Sequence, residues 1–127
     1  LRSVIGRLYA APMTLTLYGI PNCDTVKKAR RWLDDHGVAY GFHDYRKDGL
    51  DAAQLQGWID ILGWEKLLNR SGTTFRKLPD AQKDGLDAAS AKALMLDQPA
   101  MIRRPLVDAD GDLSVGFSAD DWQQRFA

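Results

Sequence analysis

Thr14-Leu15-Thr16-Leu17-Tyr18-Gly19-Ile20-Pro21-Asn22-Cys23-Asp24-Thr25-Val26 changes character part-way along its length. Residues 14–18 alternate polar and apolar side chains with β-branched and aromatic content, the pattern of a strand with one buried face. From Asp24 the spacing turns helical. Val26, Ala29 and Leu33 fall on one face, Lys27, Lys28, Arg30, Arg31, Asp34 and Asp35 occupy the rest, and Gly37 ends the helix as a C-terminal cap. Gly19 and Pro21 punctuate the turn between the two patterns, Asn22 tolerates unusual backbone angles, and Asp24 or Thr25 is placed to cap the helix. The only cysteine of the chain, Cys23, stands at this junction. A helix start offers unpaired N–H groups and the positive end of the macrodipole, which stabilise a thiolate. The competing reading makes Cys23 a small buried hydrophobe. The turn residues around it favour the nucleophile.

A second strand is expected over 38–45, and the helix between the two makes a parallel pair with a right-handed crossover. Helical spacing resumes over 50–62, with Leu55, Trp58, Ile59 and Leu62 on one side, then over 64–68 and 86–96, the last ended by Asp97-Gln98-Pro99. Residues 103–107 and 113–117 read as a hairpin around Ala109-Asp110-Gly111-Asp112, and Ser118 with Asp121 resembles a capping box for a final helix carrying Trp122 and Phe126. The order is therefore β-α-β, helices, β-β-α. This resembles the thioredoxin-like α/β fold, a four-stranded mixed sheet with a helical insertion at about 47–98 between strands two and three. Residues 13–127 form the one domain expected, Met13 reads as its start, and 1–12 are an upstream extension outside the fold.

Composition narrows the function. The chain has 127 residues, one cysteine and two histidines, so no intrachain disulfide, Cys-x-x-Cys redox pair or histidine-rich metal cage is available, and no bound cofactor or metal is expected. Seventeen basic and seventeen acidic residues cancel, which gives no sign of nucleic-acid or membrane-surface binding. No apolar run approaches the roughly 20 residues needed to span a bilayer, and an unpaired reactive thiol suits the reducing cytoplasm. The tryptophans read as packing anchors, and His36 and His43 lie away from the cysteine loop. The basic run 27–31 reads as a solvated face.

An anionic or disulfide substrate needs donors beside the thiolate. Arg70 follows a helix end in Leu67-Leu68-Asn69-Arg70-Ser71-Gly72-Thr73, and Arg104 directly precedes Pro105. In a thioredoxin-like sheet the proline before the third strand is cis and lies beside the cysteine loop, so the fold resemblance places Arg104 next to Cys23 with Pro105 as the structural element. A guanidinium fork there can bind an oxyanion or carboxylate bidentately. Arg103, one residue off, is expected on the opposite sheet face.

Residues 14–127 resemble the arsenate reductase (ArsC) family in its Spx/YffB-like branch. The resemblance is carried by residues 18–29, by Asp44-Tyr45-Arg46-Lys47-Asp48-Gly49 and by Arg103-Arg104-Pro105-Leu106-Val107. It implies a glutathione-dependent thiol reductase in which Cys23 attacks a disulfide or oxyanion and glutathione, as co-substrate, or glutaredoxin resolves the adduct. Asn22, Asp24 and Thr25 would line the substrate site with Arg70 and Arg104. These two arginines fall on the first two of three that bind arsenate in the family's reductases. The third does not carry over, because Val115-Gly116-Phe117 stands where those enzymes have Cys-Arg-Pro. A lost charged hydrogen bond of roughly 1.5–3 kcal/mol weakens oxyanion binding by about one to two decades. The alternative implied by the same branch is an Spx-type regulator that binds the RNA polymerase alpha subunit. Val26 then occupies the place of the second cysteine of the Spx redox switch.

Overall fold

The computed structural model describes residues 14–127, so the extension 1–12 and the start at Met13 lie outside the described residues. The elements run β1 (Leu15–Gly19), α1 (Asp24–Asp35), β2 (Gly41–Asp44), α2 (Tyr45–Asp48), α3 (Ala52–Leu62), α4 (Trp64–Leu67), α5 (Thr73–Arg76), α6 (Asp80–Lys83) and α7 (Ala88–Asp97). A 3-10 turn (Pro99–Met101), β3 (Leu106–Ala109), β4 (Asp112–Val115) and α8 (Ala119–Phe126) complete the chain. The four strands lie in the order β2-β1-β3-β4, with β1 and β2 parallel and the other pairs antiparallel. This is the mixed sheet of the thioredoxin-like arrangement.

The period of two along the central strands divides the core. Leu15 and Leu17 of β1 and Val107 and Ala109 of β3 meet Ala29 and Leu33 of α1 and Trp122 of α8. On the other face Tyr18 and Leu106 pack with Leu55, Trp58 and Ile59 of α3, Leu67 of α4 and Ala91 and Met95 of α7. The helical insertion therefore covers a face of the sheet.

The caps explain most boundaries. After α1, Gly37 at φ 66 lets its N–H reach the Asp34 carbonyl and the Val38 N–H reach that of Leu33, a Schellman closure. The strand expected over 38–45 is confined to Gly41–Asp44, because the Asp44 carboxylate accepts the Arg46 N–H and turns the chain into α2. The expected starts at 50 and 86 move inward, since the carboxylates of Asp51 and Asp87 cap α3 and α7. The reciprocal capping box belongs to Asp87 and Ser90. At α8 the Ser118 hydroxyl accepts the Asp121 N–H, which is half of such a box. Both hairpin strands shift by up to three residues: the turn tightens to Asp110 and Gly111, at φ 51 and 89. Helices α5 and α6, one turn each, carry no periodicity long enough to be read from sequence.

Of the basic run on α1, Arg30 departs from a solvated face. Its Nε donates to the Tyr40 hydroxyl at 3.1 Å and its guanidinium lies 4.2 Å from the Phe42 ring centre, which ties α1 to the edge strand β2.

Candidate functional site

Cys23 is itself the N-cap of α1, with extended backbone (φ −133°, ψ 126°), and its carbonyl accepts the Lys27 N–H at 2.9 Å. Asp24 and Thr25, expected as caps, are instead the first helical residues, because the helical turn closes one residue earlier than either would require. No side chain caps this helix, so its first-turn N–H groups have no side-chain acceptor at a start that carries the half-buried Cys23. Asn22, Asp24 and Thr25 are all exposed around it. The loop is seated by contact at its root, where Gly19 leaves room for the fully buried Val26: a Cβ on Gly19 would stand 3.0 Å from Val26 Cγ2.

The same glycine brings in Arg104. Its Cγ lies 3.9 Å from the position a Gly19 Cβ would take, so the arginine stem passes the root of the cysteine loop. The Arg104–Pro105 peptide is cis, at the position expected for this fold, and Pro105 is buried. The Gly116 N–H donates to the Pro105 carbonyl at 2.9 Å, which holds the end of β4 against this segment.

Arg103 corrects the sequence reading. Upstream of Pro105 the chain has left the sheet: Arg103 N–H donates to the Leu67 carbonyl and Asn69 N–H to that of Met101, each at 2.8 Å, with Ile102 bridged to Leu68. Strand alternation does not govern its side chain. Arg103 and Arg104 line one cleft of about 400 Å³ with Lys66, Asn69, Val115 and Gly116. Lys66, half hidden in the periodicity of a short helix, gave no separate signal in the sequence. None of these three cations has a carboxylate within 4.0 Å among the described residues.

Arg70 is placed differently. It is exposed, its guanidinium lies 5.0 Å from the Trp64 ring centre, and it does not line the cleft shared by Arg103 and Arg104. The turn that carries it is shaped by Asn69, whose Oδ1 accepts the Ser71 N–H and hydroxyl. The histidines are engaged locally, Nε2 of His43 donating to the Gly49 carbonyl at 2.6 Å and Nδ1 of His36 to that of Trp32 at 2.8 Å. Among the described residues no cluster of His, Cys, Asp or Glu is arranged to hold a metal ion. No described helix is long and apolar enough to cross a membrane.

Tyr45, which the sequence marks only as part of the Asp44–Gly49 segment, carries a buried polar group out of keeping with its surroundings. Its hydroxyl is buried without a hydrogen-bond partner. Burial pushes its pKa well above the ordinary phenol value, neighbouring Tyr18 adds to this, and the Arg104 guanidinium pulls the other way.

Residues 18–125 match the model of the ArsC family. The chain belongs to that family. It is 53% identical to a YffB protein of known structure, with a TM-score of 0.85 over 89% of this chain and 99% of the other. It is 54% identical to an arsenate reductase (ArsC) related protein from Brucella melitensis, with a TM-score of 0.76 over 90% and 95% of the two chains. The global transcriptional regulator Spx of Enterococcus faecalis is 28% identical over 109 residues, covering 84% of this chain and 82% of Spx. The ArsC-family domain thus spans the thioredoxin-like sheet, the cysteine loop and the Arg-Pro segment together.

Proposed function

We propose that this ArsC-family chain is a glutathione-dependent thiol reductase acting in the cytoplasm. The observation that carries the reading is a single cysteine at an uncapped helix start, with Arg104 at the root of its loop. With no second cysteine in the chain, the second thiol must come from outside. In the first step the Cys23 thiolate attacks a glutathione mixed disulfide, forming Cys23–S–S–glutathione and releasing the substrate as its thiolate. A second glutathione thiolate then attacks the glutathione sulfur of that adduct, giving oxidised glutathione and restoring Cys23. In the sum one glutathione thiol is consumed and one substrate thiol released: the glutathionyl group of the mixed disulfide leaves in oxidised glutathione, and the proton of the incoming glutathione goes to the released thiolate. Glutaredoxin can replace glutathione in the second step.

Arg104 supplies a cation for the leaving thiolate or for a carboxylate of the substrate. Arsenate fits this chain less well, because Gly116 supplies no charge near the place of the family's third arginine and Arg70 is stacked on Trp64. The test is reduction of hydroxyethyl disulfide with glutathione, with and without added glutaredoxin. The wild-type chain is expected to turn over and Cys23→Ser to fail; full turnover by Cys23→Ser overturns the mechanism.

The relationship to Spx supports a second reading, a module that binds the RNA polymerase alpha subunit. Val26 stands in the place of the second switch cysteine and carries no sulfur, so any such binding is without a local disulfide switch. A pull-down with polymerase that recovers no alpha subunit removes this reading.

A further inference from the structure

We propose that the cleft between α4 and the Arg103–Arg104 segment is a carboxylate subsite for the organic thiol that reacts at Cys23, with Lys66 and Arg103 as its specificity-determining residues. The inference rests on the reductase reading above and names the part of the molecule that would recognise its co-substrate.

Lys66, Arg103 and Arg104 converge on one cleft with no acidic residue lining it. The ion pairs formed by described residues lie elsewhere, on Lys83 and Arg125. Cations gathered without counter-charge repel one another, and an anion that enters among them relieves that repulsion. The assembly is held by backbone: the Leu67–Arg103 and Met101–Asn69 hydrogen bonds fix the main chain from which Lys66 and Arg103 project. The side chains are therefore presented by paired segments, not by a free loop.

Size selects the class of anion. At about 400 Å³ the cleft falls within the range of roughly 300–1,000 Å³ typical of small organic ligands, and is oversized for one tetrahedral oxyanion. Gly116, which lines it, has φ 88 and open space where a side chain would project. An arginine there would fill the cleft and focus charge on one point. Without it the positive charge of the cleft comes from three separate side chains, Lys66, Arg103 and Arg104, which suits a peptidic molecule with more than one carboxylate. Arg104 joins the cleft to the cysteine loop, since its stem passes Gly19 while the residue also lines the cleft.

The experiment is an amide-resolved NMR titration of the full chain with S-methylglutathione, which cannot form a disulfide and so reports non-covalent binding alone. Its diester and inorganic phosphate are the comparison probes. Shifts are expected at Asn69 and Gly116, with affinity falling about tenfold or more in Lys66→Gln/Arg103→Gln. The diester should bind the wild type correspondingly weakly and lose little more in the double variant. In turnover the same variant should raise the KM for glutathione with kcat little changed.

Unchanged S-methylglutathione affinity in the double variant overturns the subsite, as does the lack of shifts at Asn69 and Gly116. Phosphate binding there more tightly than S-methylglutathione also overturns it, in favour of an inorganic-anion cleft. Failure of the reductase reading shows separately, as turnover independent of Cys23, while the titration still decides the subsite.

Discussion

Gly19 and Val26 meet across the cysteine loop with no space for a side chain on the glycine, whose Cβ would stand 3.0 Å from Val26 Cγ2. Val26 is fully buried on α1 and Gly19 ends β1, so this contact sets how far the helix start, and Cys23 with it, stands from the strand. Gly19→Ala is expected to cost about 1–3 kcal/mol by overpacking, measured by urea unfolding. Adding Val26→Ala should return part of that loss, so the double variant is less destabilised than the sum of the singles. Strict additivity would show that the contact does not position the loop.

Cys23→Ser separates chemistry from folding. Serine is a preferred N-cap and Cys23 makes no capping hydrogen bond, so the variant should be at least as stable as wild type while losing glutathione-dependent turnover. Parallel thermal melts and turnover assays check both halves. A marked fall in melting temperature would mean that the thiol is mainly a packing group.

Tyr45→Phe should stabilise the protein, by about 1 kcal/mol, because the hydroxyl it removes is buried without a partner. The ring itself stays in the aromatic cluster with Tyr18, His43 and Trp58. Denaturant unfolding measures the change. Destabilisation would reveal a partner for this hydroxyl, such as a buried water.

Asp87 gives the pH dependence its sign. Hydrogen bonds from the Ser90 N–H and side chain hold its carboxyl below the ordinary value of 3.8. A depressed acid stabilises the fold above its unfolded value, and that contribution is lost as pH falls through the lower folded value. Asp87→Ala should therefore melt lower than wild type at neutral pH, with the difference shrinking below about pH 3.8. A difference that grows on acidification would contradict the cap.

How much of this was legible in the chain varies with the range of the interaction. The β1-to-α1 junction, the Gly37 cap, the Asp110-Gly111 turn and the Ser118 cap are written in neighbouring residues, and the structure places them within a few positions of where the pattern does. The missed one-turn helices are too short to show a period. Arg103 was misplaced for another reason: alternation applies inside a strand, and the segment before Pro105 pairs with Leu67 and Leu68 instead.

By itself, the sequence determined the order of the strands and longer helices and a single cysteine at a helix start, since each follows from local periodicity or composition; the one buried face it indicated for β1 became two, because helices cover both sides of the sheet. Only the tertiary structure decided which cations share a cleft, why Arg70 rests on Trp64, and that Tyr45 is buried unpaired near Arg104. Those outcomes depend on segments tens of residues apart, brought together by main-chain hydrogen bonds whose partners no local pattern names.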